Sequence, residues 1–295
     1  MTKFLLSTVA LAALTTASFA ADLPSRKAPE AAPYVAAPIF TWTGFYLGLN
    51  AGGAWTGSSV RSIVPTNNSL GAANPINATA IAEAVAAGAG NTNSSGIMGG
   101  VEVGYNYQFS NVVVGIEADL DALSASKTRD TGILTPAAGG GVTVRDIDKV
   151  SLNYEGTLRA RLGLAANRAL FFVTGGAALT QQNFSRIQRW SFADGCPIAV
   201  DGLQQCHTGS ASPTSVGWVL GAGIEYAIND NWTVKAEYLH SQFGGVKFTT
   251  SNVSPALVGN PQNIVQSLKG TSVDAIRVGI NYKFGAPASA VVAKY

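Results

Sequence analysis

The chain has 295 residues, a formal net charge of +2 and 12% charged residues, about half the share in an ordinary soluble domain. Hydrophobic residues make up 47%, yet no uninterrupted apolar run reaches the roughly 18 residues that a membrane-spanning helix needs. The near-neutral balance supplies no basic patch and so argues against nucleic acid as a partner.

Met1 to Ala20 reads as a secretory signal peptide: Lys3 opens it, Phe4 to Ala17 is its apolar run, and Ser18-Phe19-Ala20 is a small-residue cleavage site. Cleavage between Ala20 and Ala21 is expected, into an oxidising compartment. Residues 21–42 are rich in Pro and Ala, cannot donate a full hydrogen-bond ladder, and read as a periplasmic linker.

From residue 43 to residue 284 the pattern changes to period-two alternation, the mark of a strand with one apolar face. The first strand is predicted over Thr43–Ala54, with Phe45, Leu47, Leu49 and Ala51 on one face. The second, Gly96–Phe109, turns at Ser110-Asn111 into the third, Val112–Leu123, which carries Glu117, Asp119 and Asp121 on its polar face. The fourth runs Val150–Ala165, with Val150, Leu152, Tyr154, Leu158, Leu162 and Leu164 outward and Asn153, Glu155, Arg159 and Arg161 inward. A turn at Ala166-Asn167-Arg168 leads to the fifth, Leu170–Gln182, whose alternation is blurred and whose outer pair is read as Phe171 and Val173. The sixth is Ser215–Ile228, and Asn229-Asp230-Asn231 is a turn of residues that tolerate left-handed backbone. The seventh is Trp232–Ser241. The eighth, Ala275–Phe284, alternates Ile276, Val278, Ile280, Tyr282 and Phe284 against Arg277, Gly279, Asn281 and Lys283.

The connections alternate in length. Long polar segments follow the odd strands and turns of a few residues follow the even ones. That pattern, with an even strand count and aromatics at the ends of the apolar faces, predicts an all-β fold: an eight-stranded antiparallel transmembrane β-barrel with long extracellular loops and short periplasmic turns. The eighth strand should close against the first, leaving no edge in lipid. Localisation in a Gram-negative outer membrane follows, with both termini periplasmic. Residues 285–295 form a tail, where Gly285 and Pro287 interrupt the strand.

The segments ADLPSRKAP, FTWTGFYLGLNAGGAW, FVTGGAAL and VGINYKF together resemble the porin-like outer-membrane immunogenic proteins of alphaproteobacteria, which are similar to the small eight-stranded barrel of the outer membrane protein A type. The spacing of Arg277, Gly279, Tyr282 and Phe284 resembles the C-terminal assembly signal of outer-membrane barrels. A typical member stops at the final aromatic, whereas this chain continues to Tyr295, and Phe284 is read as the barrel's end. The resemblance implies a role in envelope integrity, exposure at the cell surface, and partners in outer-membrane lipid, lipopolysaccharide, the barrel-assembly machinery and periplasmic chaperones. It also implies a monomer. Some relatives bind haemin.

The polar faces supply eleven inward charges: Glu102, Glu117, Asp119, Glu155, Arg159, Arg161, Glu225, Lys235, Glu237, Arg277 and Lys283. Eight strands leave a lumen barely wide enough for its own side chains, and charges confined there must pair. A salt-bridged, closed lumen is therefore expected, and a narrow ion path is the alternative. No enzyme is expected: His240 and Ser241 are adjacent and point to opposite faces, so no nucleophile and base converge. Cys196 and Cys206 lie close together in the third long loop and read as a disulfide. His207 beside them is a weak metal or haem signal, and neither a metal nor a cofactor is expected. The first long loop holds Ala78–Ala87, with the composition of a short helix. Recognition of a host, haemin or phage ligand would live in the loops.

Overall fold

Alternation decides the architecture. The computed structural model describes residues 40–63, 86, 89–135, 143–190, 199–200, 203–252 and 264–285. Every element named among them is a β-strand: β1 (Gly44–Gly57), β2 (Ser59–Ile63), β3 (Gly90–Asn91), β4 (Ser94–Phe109), β5 (Val112–Asp130), β6 (Val144–Ala166), β7 (Ala169–Trp190), β8 (Ala199–Val200), β9 (Leu203–Ala211), β10 (Thr214–Ala227), β11 (Trp232–Phe243), β12 (Val246–Asn252), β13 (Ile264–Leu268) and β14 (Ser272–Lys283).

Eight of these close into a ring in the order β1-β4-β5-β6-β7-β10-β11-β14, with every neighbouring pair antiparallel. The ring closes where the alternation places it: β14 pairs with β1, Leu49 opposite Ile280 and Ala51 opposite Val278. Closure leaves no ladder edge to be solvated, the condition for a strand bundle in lipid. The eight predicted strands are these eight, each placed to within a few residues at its short-turn end.

The outer face of the ring is apolar, and Leu49, Ile116, Leu158, Phe171, Val173, Ile224 and Val278 stand exposed on it. Phe171 and Val173 are the outer pair read from the blurred fifth strand. Aromatics gather at the end with short turns: Phe45 against Tyr105, Trp232 against Tyr282, and Tyr282 edge-on to Phe284 at 4.9 Å. Such girdles mark the water boundary of a membrane barrel. Ser110 and Asn167 adopt left-handed backbone at two of the short turns, and Asn229 Oδ1 accepts from the Asn231 and Trp232 amides in the third.

The interior is layered. At the short-turn end Trp42 is buried with Val113, Leu170, Phe172 and Ala227, and its amide donates to Gln108 Oε1 at 2.8 Å. Residues 40–42, read from sequence as the end of a linker, thus seat in the barrel's mouth. The charged layer lies above them. Over that is an apolar layer that includes Met98, Leu123, Val150, Leu152, Phe184, Val219, Leu239, Phe243 and Val273.

Two expectations are corrected here. The long connections are not only loops. Strands β5, β6 and β7 run past the apolar belt, and β7 continues the sheet through β9, β12, β13, β2 and β3. Arg129 reaches from β5 to the Ala89 carbonyl beside β3 at 3.0 Å. These outer strands read as loops because their apolar residues are few and their alternation short.

The second correction concerns β6. Val150 and Leu152, expected outward, are buried, and Asn153, expected inward, is exposed. The register slips between Leu152 and Glu155 against β7, and between Ala122 and Ala125 against β5. One extra residue reverses the faces of everything beyond it. Below the bulge Glu155, Arg159 and Arg161 face in as expected, and above it Asp146, Asp148, Val150 and Leu152 do.

Residues 1–39 and 286–295, the Ala78–Ala87 stretch apart from residue 86, and Cys196 lie outside the described residues.

Candidate functional site in the barrel lumen

The charged layer is built from inward positions on adjacent strands. Arg159 on β6 donates to Glu117 and to Asp119 at 2.7 Å, and reaches Glu237 on β11 at 3.1 Å. Arg277 on β14 binds Glu237 at 2.8 Å, Asp119 at 2.9 Å and Asp121 at 2.5 Å. Lys235 binds Glu102 at 2.7 Å, Glu237 at 2.9 Å and Glu117 at 3.1 Å. Arg161 pairs with Glu225 and stacks on Phe172, 3.8 Å above the ring centroid. Tyr46 brings in β1 by donating to Glu117 at 2.6 Å, and Thr157 donates to Asp119 at 2.8 Å.

Glycines opposite Arg159 and Arg277 allow the paired backbones to approach closely there. A Cβ at Gly176 would lie 2.0 Å from the Leu158 carbonyl oxygen, beside Arg159, and one at Gly52 would lie 2.1 Å from that of Ile276, beside Arg277. The oxygens of Glu102, Glu117 and Glu237 lie within 4.8 Å of one another, a spacing that suits a cation. The Lys235 ammonium already sits among them. Each of these carboxylates therefore touches at least one fixed positive charge: Glu102 has Lys235, Glu117 has Lys235 and Arg159, and Glu237 has Lys235, Arg159 and Arg277.

The structure brings together most of the inward set and separates two members. Lys283 donates to the Thr41 carbonyl and sits over the Phe40 ring at 4.4 Å, at the short-turn mouth, with no lumen acid as its ion-pair partner among the described residues. It stands one turn of the alternation too low to reach the network. Glu155 likewise has no cation in that set; Ser241 donates to it at 2.5 Å. Asp121, Tyr46 and Thr157 belong to the network although sequence reasoning did not put them in the lumen set. Asp121 and Tyr46 find their partners on non-adjacent strands, Arg277 and Glu117, whereas Thr157 bonds Asp119 directly opposite it on the neighbouring strand.

His240 and Ser241 point to opposite faces. His240 Nδ1 lies 2.7 Å from Asp274, which also accepts from the Tyr238 hydroxyl at 2.6 Å, on the outer surface at the upper rim. A second polar cluster lies above the apolar belt, beyond the membrane-spanning part of the strands. There Arg186 binds Asp148 at 2.9 Å, Asp146 at 3.0 Å and Gln266 at 2.5 Å, and Arg129 reaches Asp148 at 3.3 Å. Burial pushes the Asp148 carboxyl up to about 6 against the pull of Arg186, and raises Asp146 as well.

A closed ring of eight strands with an apolar exterior and an ion-paired interior has a counterpart among known sequences. The family model described as outer membrane protein beta-barrel domain matches residues 7–284. The chain belongs to this family of outer-membrane β-barrels. A relative called 31 kDa outer-membrane immunogenic protein, from Brucella melitensis, is 32% identical over 292 residues, covering 96% of this chain and 100% of the relative. The 25 kDa outer-membrane immunogenic protein of Brucella abortus is 27% identical over 93% of this chain and 94% of its own length. Among solved structures, the outer membrane protein OprG from Pseudomonas aeruginosa is 13% identical, with a TM-score of 0.41, over 84% of this chain and 100% of that one. As a member of this family the chain resides in the cell outer membrane, its short turns toward the periplasm and its extended strands outside.

Proposed function

We propose that this chain is a structural barrel of the outer membrane, supporting envelope integrity and presenting its outer strands at the surface as an antigen, with its lumen closed by its own side chains. The observation that carries this reading is the burial of the network: the side chains of Arg159, Arg277, Glu117, Asp119 and Glu237 are wholly inaccessible, and they bridge from β5 and β6 to β11 and β14. A bore spanned in this way has no water path of ionic width. The test is planar-bilayer recording on purified monomer. No steady conductance is expected, and a large stable conductance would overturn the closed-lumen reading in favour of a narrow channel.

Residues 1–20 are removed on export, and Cys196 and Cys206 form a disulfide in an oxidising compartment; unreduced peptides carrying free thiols at both positions would contradict the latter. Phe284, not Tyr295, ends the segment read by the assembly machinery. The relatives' names include the word immunogenic, which supports surface exposure here. The chain acts by position and surface, without catalysis, since His240 faces lipid headgroups and Ser241 faces Glu155.

A further inference from the structure

The charged layer is not electrically balanced. Its seven buried carboxylates, from Glu102 to Glu237, exceed by three the four cations Arg159, Arg161, Lys235 and Arg277. Lys283 does not redress this, because it sits at the short-turn mouth. An excess of one sign is costly in an interior that excludes water. It is also unevenly spread. Glu117, Asp119 and Glu237 each touch two or more cations. Glu225 has Arg161, and Thr233 and Asn281 donate to its other oxygen. Glu102 has only Lys235, and Asp121 only Arg277, among the described residues.

The underpaired oxygens surround one glycine. Gly100 of β4 stands opposite Asn50 of β1 on one side and Asp121 of β5 on the other. Glu102 is the next inward residue on the same strand, and Asp119 stands opposite it. Inward side chains on neighbouring strands are about 5 Å apart, so a residue without a side chain leaves room at the centre of these four. Gly279, on the far side of Asn50, widens that room: a Cβ there would lie 3.6 Å from the Asn50 Cβ and 3.7 Å from Glu102 Oε1. Asn50 is 6% exposed. It lies within electrostatic reach of Asp121, yet both atoms of its amide, Asp121 Oδ1, Asp119 Oδ1 and Glu102 Oε1 take no hydrogen bond among the described residues. Buried polar groups are nearly always bonded to something. Met98 and Leu123, the next inward residues above Gly100 and Asp121, belong to the apolar layer and close the space from above.

The donors are oxygens alone, three carboxylates and a carboxamide, which suit a hard cation and not a transition metal. Calcium accepts irregular oxygen cages, whereas magnesium demands a regular octahedron and keeps its waters. We infer that the lumen binds one calcium ion over Gly100, between Asn50, Glu102, Asp119 and Asp121, where its two positive charges offset most of the acid excess. The ion enters as the barrel folds, since the ring and the apolar layer enclose it afterwards. No local motif announces the site, because its donors come from three strands. It is separable from the closed-lumen reading: a barrel that conducts and still holds calcium would refute that reading and keep this one.

The test refolds the full chain from urea into lipid vesicles over a calcium series, removes outside metal with a chelator, and counts calcium per folded chain by mass spectrometry. Wild type retains about one ion per chain. D121N and N50A each need at least about tenfold more calcium for the same occupancy, since ligand charge and number set the affinity. E225Q removes the same unit charge elsewhere in the layer and shifts occupancy by less than about threefold. Heat-modifiable gel mobility establishes that each variant is folded, and N50A, which removes no charge, carries the test should D121N fail to fold. Wild type that folds without retaining calcium would leave protons to carry the excess and overturn the inference. Undiminished binding by D121N and N50A would do the same, as would an equal loss in E225Q.

Discussion

Arg277 is the position at which the ion-paired lumen is most open to test. It binds Asp119, Asp121 and Glu237, and all four side chains are at most 1% accessible. Replacing it with Met keeps most of the volume, so the cavity contribution is small, and the loss is chiefly that of the buried charge. The three acids do not suffer equally. Asp119 keeps Arg159 at 2.7 Å, and Glu237 keeps Lys235 at 2.9 Å and Arg159 at 3.1 Å. Asp121 has no second ion pair among the described residues. Breaking a buried pair from one side costs about 3–5 kcal/mol, and most of that should fall on Asp121. R277M is therefore expected to lose about 3–5 kcal/mol, and the double variant R277M/D121N to recover about 2 kcal/mol or more by removing the orphaned charge. The assay is urea unfolding of the barrel in lipid vesicles, followed by tryptophan fluorescence and gel mobility. A loss below about 1 kcal/mol in R277M, the range of an exposed pair, would refute the reasoning. So would a D121N change that adds to the loss instead of relieving it.

Deleting Asn153 removes the extra β6 residue against β7, widens the slip against β5 and turns the faces of Val144–Leu152 over. Protease should then cut the extracellular strands while the membrane-spanning ring stays folded, and a fully protected outer tier would contradict the bulge's role. The pH dependence of that tier follows from Asp148. Its folded carboxyl keeps a proton up to about 6, whereas the unfolded one releases it near 3.9, so the tier loses stability as pH rises between those values. Hydrogen exchange along Val144–Leu152, corrected for intrinsic rates, should be slower at pH 5 than at pH 7, and D148N should flatten the difference; faster exchange at pH 5 would reverse the assignment. Removing residues 285–295 should leave membrane assembly intact while F284A impairs it, as measured by the heat-modifiable fraction in isolated outer membranes. The opposite pattern would make Tyr295 the residue that is read.

Much of the ring was legible because a lipid-facing strand leaves a local record. Ile276, Val278 and Ile280 must each face lipid, so every second residue of β14 is constrained, and the same holds for β1, β4 and β10. The inward set was legible by the same parity. Lys283 was misplaced because parity gives the face but not the height, and at the mouth the nearest acceptors are the Thr41 carbonyl and the Phe40 ring. Val150, Leu152 and Asn153 were assigned to the wrong faces because a bulge inserts one residue without any change in composition. Trp42 looked like linker because what buries it, Val113, Leu170, Phe172 and Ala227, comes from three distant strands.

By itself the sequence determined the fold class, the number of membrane strands and the inward parity of most of the lumen charges. Each of these is a period-two property of a short segment in contact with lipid on one side. Only the tertiary structure decided which acid meets which base, since Arg159 and Glu237 are 78 residues apart and meet only once the ring has closed. It also decided that the long connections carry strands, because β2, β12 and β13 gain their hydrogen bonds from one another and not from any local pattern. The gathering of Asn50, Glu102, Asp119 and Asp121 around Gly100 is invisible in the chain for the same reason: pairing across strands sets it.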